Sequence, residues 1–246
     1  MLTECFLTSI QVQRTEIPTP ELYPFSIPAL KSLGALDMHP KITFFVGENG
    51  SGKSTLLEAI AIAAGNNPEG GSKNFRFESK ASHSELHQYL RLIRGIKKPK
   101  DGFFLRAESL FTLSTEIERL EAEGPMPFAS YGGRSLHLQS HGESFLSLCD
   151  HRLRGNGLYI LDEPEAALSP MRQMSLLSIL HRLIQQKSQF IIATHSPILL
   201  AYPDACIYSF SEQGIAPIQY EETEHFRVTR DFLNRRERML KTLLSD

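Results

Sequence analysis

Gly47-Glu48-Asn49-Gly50-Ser51-Gly52-Lys53-Ser54, followed by Thr55, sets glycines, a lysine and a hydroxyl in the order GxxxxGK[ST]. Glycines let the backbone curl so that successive N–H groups point inward at a phosphate, and a helix beginning near Lys53 adds the positive end of its dipole. In this pattern Lys53 bridges β- and γ-phosphates and Ser54 ligates magnesium. Downstream, Leu158-Tyr159-Ile160-Leu161-Asp162-Glu163 is an apolar run closed by two carboxylates. Asp162 can hold a magnesium shell while Glu163 polarises an attacking water. A glycine-rich turn and a plain strand end are the ordinary readings of these strings. Their occurrence on one chain, in this order, favours ATP and Mg2+ as ligands.

Such side chains work only if a strand, a loop and a helix position them. Lys41 to Gly47 reads as a continuous apolar strand, and Ser54 to Ala64 as a helix ending at Gly65. The segments Phe6 to Arg14 and Tyr23 to Ile27, broken by prolines, suit edge strands. Asn66 to Ala81 is polar and glycine-rich and reads as a surface loop. His83 to Ile96 and Thr112 to Glu123 have helical spacing on either side of a strand at Gly102 to Arg106. Gly124 to Gly133 is a second loop. A helix is expected from His141 to Leu153, a buried strand over Leu158 to Leu161, a helix from Pro170 to Gln186 and a buried strand over Gln189 to Thr194. Glu224 to Leu244 closes the chain with a helix or two. Helices alternating with apolar strands predict an α/β fold with a mostly parallel sheet.

The bulk properties set bounds on function. With 246 residues and 41% hydrophobic content, the chain can bury one substantial core, and a net charge of −2 supplies no global field for nucleic acid. Cys5, Cys149 and Cys206 are scattered and lack CxxC spacing, which fits a reducing compartment. No apolar run approaches the roughly 18 residues of a membrane span. The expectation is a cytoplasmic protein without an integral membrane segment or secretory leader.

Three further strings follow in order. Gln139-Ser140-His141-Gly142-Glu143 resembles the LSGGQ signature, Ala166-Ala167-Leu168-Ser169 resembles the loop after the second acidic motif, and Thr194-His195-Ser196-Pro197 resembles the switch-histidine loop of ABC-type ATPases. The wording of the last two is closer to the SMC- and RecF-like heads than to transporter subunits, and a group of small AAA-family ATPases in that branch is similar over nearly the whole chain. The resemblance implies a single P-loop NTPase domain over residues 1–246, with an antiparallel N-terminal β part and an inserted lobe over about 66–135. It also implies that Ser140, Gly142 and Glu143 of one copy meet the nucleotide held by Lys53 of another in an ATP-dependent homodimer, and that His195 hydrogen-bonds the γ-phosphate. Gln139, His141 and Glu143 depart from the usual Leu, Gly and Gln. No sustained heptads separate the two motifs, so the head carries no coiled-coil arm. A nucleic acid or a protein is the expected further partner.

An energising subunit of a membrane transporter and a non-hydrolytic regulatory module are the alternatives; the Asp162–Glu163 pair counts against the second. Other features are weaker. Glu108 or Ser109 stands where the family places a glutamine, and Tyr23 or Phe25 could stack on adenine. His83 and His87 lack a third metal ligand. Arg227, Arg230, Arg235, Arg236, Arg238 and Lys241 could meet phosphate backbone, or simply form the outer face of an amphipathic helix with Val228, Phe232, Leu233, Met239 and Leu240 inward.

Overall fold

Alternating apolar side chains along the strands build a sheet that is buried on both faces. The computed structural model describes residues 5–68, 70–72, 83–122 and 132–245. In chain order the elements are β1 (Leu7–Val12), α1 (Pro28–Lys31), β2 (Ala35–Asp37), β3 (Ile42–Gly47), α2 (Lys53–Ala64), β4 (Leu90–Arg94), β5 (Asp101–Arg106), α3 (Leu110–Ala122) and α4 (His141–His151). They continue with β6 (Gly157–Asp162), α5 (Pro170–Gln185), β7 (Gln189–Ala193), α6 (Pro197–Leu200), β8 (Cys206–Ser211), β9 (Gly214–Pro217), α7 (Glu224–Asn234) and α8 (Arg236–Leu243).

Among the described residues the main sheet runs β5-β6-β7-β3-β8-β9, parallel except for β9, and a smaller antiparallel sheet runs β2-β1-β4. This is the α/β architecture of a P-loop NTPase head. Neighbouring residues of each parallel strand enter opposite cores: Phe44, Phe103 and Leu161 face one, Phe45, Phe104 and Ile160 the other. Each such fully buried side chain contributes about 1.5–3 kcal/mol. Gln189 is also fully buried, and it joins the two sheets: Oε1 accepts from the amides of Phe6 and Leu7 at 3.0 and 2.9 Å, and Nε2 donates to Leu7 O at 2.7 Å and His39 O at 3.0 Å.

The expected strand at Tyr23 to Ile27 is absent. Pro24 and Pro28 remove the N–H donors a ladder needs, and the segment turns into α1 instead. The expected helix over His83 to Ile96 is a short 3-10 turn, Glu85–Tyr89, followed by β4, because the Leu90 to Arg94 run finds an antiparallel partner in β1. The stretch expected as one inserted lobe is divided between layers: β4 belongs to the antiparallel sheet, whereas β5 is the edge of the main sheet, in register with β6. Of the Asn66 to Ala81 loop, Asn66, Asn67 and Ser72 are buried, and Gly71 pairs with Phe104. Residues 69, 73–82 and 123–131, which include parts of both expected loops, lie outside the described residues. The closing helices form as expected, but neither fully buries a residue: Phe232, Met239 and Leu240 of the apolar face read from the sequence are half-buried, whereas Val228 is 53% and Leu233 71% exposed.

Candidate active site

The sheet register brings the chemistry-bearing residues to one edge. Asp162 lies opposite Ala193 on one side and Arg106 on the other, and Phe45 lies opposite Ala193. The chain therefore leaves β3 into the glycine loop, β6 into Glu163 and β7 into Thr194 and His195 on the same side, the carboxyl ends where α/β sheets bind ligands. Two glycines explain the loop's path. A Cβ on Gly47, at φ 145°, would stand 2.4 Å from Phe210 O, and Gly52 adopts φ 98° while packing on Ile27 and Leu30.

Lys53 opens α2 buried, with Nζ donating to Gly47 O and Glu48 O at 2.8 Å each. Burial lowers its pKa, while Glu163, Asp162 and Glu165 act in the opposite sense. Ser54 Oγ donates to Asp162 Oδ1 at 3.0 Å. Ser51 Oγ is buried in the loop without a hydrogen-bond partner. A cleft of about 540 Å³ opens beside this turn, lined by Gly47, Asn49, Ser51, Phe210 and His225 among others. A cavity of about 290 Å³ by Phe6 and Gly102 lies at the amino ends of β5 and β6, away from these groups.

Asp162 is 5% exposed, and burial pushes its carboxyl up to about 6 against the pull of Arg106 and the Ser54 hydroxyl. Arg106 Nε stands 3.3 Å from Asp162 Oδ2 and Nη1 2.9 Å from Glu58 Oε2. Burial works against that guanidinium charge, yet Asp162 and Glu58 raise its pKa. Glu163 adopts a left-handed backbone at φ 48°, a costly conformation for a residue with a Cβ, and one that re-aims its side chain at the strand tip. Its Oε1 lies 3.5 Å from His195 Nε2. Glu165 braces the next loop by accepting from Thr194 Oγ1 at 2.7 Å and from the His195 amide.

Residues 31–121 match a family described as AAA domain, and residues 130–201 match one described as AAA domain, putative AbiEii toxin, Type IV TA system. DNA replication and repair protein RecF of Colwellia psychrerythraea is 42% identical over 67 residues, which span 27% of this chain and 16% of that relative. Both matched segments are thus similar to AAA domains, on the α/β fold of a P-loop NTPase. Its fold is similar to the SMC head domain from Thermotoga maritima, at TM-score 0.47 and 16% identity over 87% of this chain and 99% of that one. CbiO1 from Clostridium perfringens, part of the ABC transporter complex cbiONQ, is similar at TM-score 0.49 and 16% identity over 84% and 89%.

The signature residues are held to one another at the start of α4. Glu143 accepts from the Ser140 amide at 2.9 Å and from its hydroxyl at 2.6 Å, closing a capping box on α4, and Arg172 reaches both side chains at 3.1 Å. The Ser140 bonds hold the Glu143 carboxyl below its ordinary range. Gly142 is buried against the loop after Glu163, since a Cβ there would meet Ala167 O at 2.8 Å. Tyr23 is 66% exposed with its hydroxyl 3.4 Å from Thr55 Oγ1, whereas Phe25 is core, edge-on to Tyr89. Glu108 is exposed, and it is Arg106, ahead of it, that reaches Asp162. Arg106, Glu165 and His225 were missed by sequence reading. Glu165 stood in the acidic string and Arg106 ended an expected strand, but nothing local marked His225, whose ring meets His195 across 30 residues of chain.

Proposed function

We propose that this head binds ATP with magnesium at the glycine loop, hydrolyses it, and couples that cycle to head-to-head dimerisation. The observation that carries the reading is the Ser54–Asp162 contact at 3.0 Å, with Lys53 and Glu163 on either side of it. Two hard oxygen donors converge at one point, which fits magnesium, and the glycine curl with its orphaned Ser51 hydroxyl fits a phosphate chain. Ser54 and Asp162 would hold the ion, which when bound neutralises phosphate charge. The amides of Gly47, Glu48, Asn49, Gly50, Ser51 and Gly52 enclose the β-phosphate, with Thr55 next to them on α2. Lys53 exchanges its two carbonyl partners for phosphate oxygens. Glu163 orients and deprotonates the water, and His195 donates to the γ-phosphate. Tyr23, exposed beside Thr55, is the adenine platform.

Ser140, Gly142 and Glu143 act in trans. Ser140 and Glu143 are exposed at the start of a helix, and exposed apolar side chains lie nearby in sequence or packing: Leu138 is 88% and Met171 70% exposed. The likeness to a DNA replication and repair protein supports DNA as the partner on which closure acts, and with it a cytoplasmic location.

The test is Glu163→Gln. This variant should bind ATP normally, turn over slower by about a hundredfold or more, and accumulate as an ATP-dependent dimer. Hydrolysis at the wild-type rate would remove Glu163 from the base role and the reading with it.

A further inference from the structure

The first turn of α7 brings a second imidazole to the phosphate side of the site. His225 is the second residue of that helix, which Thr223 caps by accepting from the Phe226 amide. Just ahead, the Tyr220 hydroxyl donates to Pro197 O at 3.0 Å, pinning this turn to the loop that follows His195. His225 Nε2 thus stands 2.9 Å from His195 Nδ1, with the rings inclined at 67°. The far nitrogens, His195 Nε2 and His225 Nδ1, are both buried without a hydrogen-bond partner.

A neutral imidazole carries one N–H, so the facing nitrogens of a neutral pair share a single proton between them. If His195 Nδ1 donates, its Nε2 turns a lone pair on the Glu163 carboxylate 3.5 Å away and on any phosphate oxygen arriving there. If His225 Nε2 donates, His195 carries its proton on Nε2, facing those acceptors. Charge selects the second arrangement, because a lone pair beside a carboxylate is repelled and an N–H is attracted. Burial, then the neighbouring His195, lowers the pKa of His225, in keeping with a neutral ring.

We propose that His225 is a positioning residue that keeps the proton of His195 on Nε2, so that the switch histidine presents a donor to the γ-phosphate. This rests on the role given to His195 above and assigns that residue a controller outside the family motifs.

Ring nitrogen shifts of His195, assigned by their loss in His195→Gln, read the tautomer directly in the full chain without nucleotide. The Nε2–H form is expected in the wild type, and a shift toward Nδ1–H in His225→Leu. The same variant should lose about tenfold or more in kcat with the KM for MgATP within about twofold. His225→Gln, whose side-chain amide can still donate to Nδ1, should recover most of the rate. If His225→Leu melts, His225→Asn, polar but too short to reach Nδ1, takes its place. In a His195→Ala background neither substitution should change the rate further. An Nδ1–H tautomer in the wild type, an unchanged tautomer in the variants, or an additional rate loss in the His195→Ala background would each overturn the assignment. If His195→Ala itself hydrolyses normally, the role of His195 falls, and the tautomer readout alone decides whether His225 sets its proton.

Discussion

Asp162 shows what the site costs the resting protein. Its folded pKa of about 6 lies above the ordinary 3.8, so the folded chain holds that proton more tightly than the unfolded one. Stability from this group is fully present below about pH 4 and is lost as pH rises through about 6. By that linkage the ionised carboxylate destabilises the metal-free protein by on the order of 2–3 kcal/mol at neutral pH. Asp162→Asn should therefore melt higher than the wild type at about pH 7.5, with the gap closing toward about pH 4. Magnesium with ATP should raise the melting temperature of the wild type and do little for the variant. Melting curves that stay parallel across pH would mean that Arg106 already neutralises the charge.

At the scale of elements, the two sheets are joined at the start of β7, where one side chain meets four backbone groups. Gln189→Leu keeps the volume but leaves the Phe6 and Leu7 amides buried and unpaired. The expected loss is about 3 kcal/mol, or a melting temperature lower by about 6–12 °C. The site lies at the opposite end of β7, so ATP affinity of the folded fraction should stay near the wild-type value. Calorimetry separates these outcomes, and a large affinity loss without a stability change would contradict this division of labour. The same logic explains β4: a run such as Leu90 to Arg94 has no strand identity until β1 supplies a ladder.

For the whole molecule, the signature cluster and the phosphate loop occupy different parts of one chain, and the proposal that a second copy unites them makes a surface prediction. Met171→Asp or Leu138→Asp should abolish the ATP-dependent dimer of the Glu163→Gln protein in sedimentation velocity while leaving ATP affinity of the monomer within about twofold, since both side chains are exposed and lie off the glycine loop. Dimerisation unaffected by either charge would move the interface elsewhere, with the exposed apolar side chains of α7 and α8 the next surface to examine.

The amino-acid order alone determined the glycine curl, Lys53 and Ser54 at the head of a helix, and a strand ending in Asp162 and Glu163, because each depends on neighbours a few residues away and on glycine's freedom or a strand's alternation. It also placed His195 at the end of an apolar strand. Tertiary structure alone decided that Arg106 pairs with Asp162, that Glu165 braces the His195 loop, that Gln189 joins two sheets and that His225 faces His195. Those contacts arise from strand register and from chain segments meeting after long separations, and no local periodicity encodes which distant polar group will satisfy a buried one.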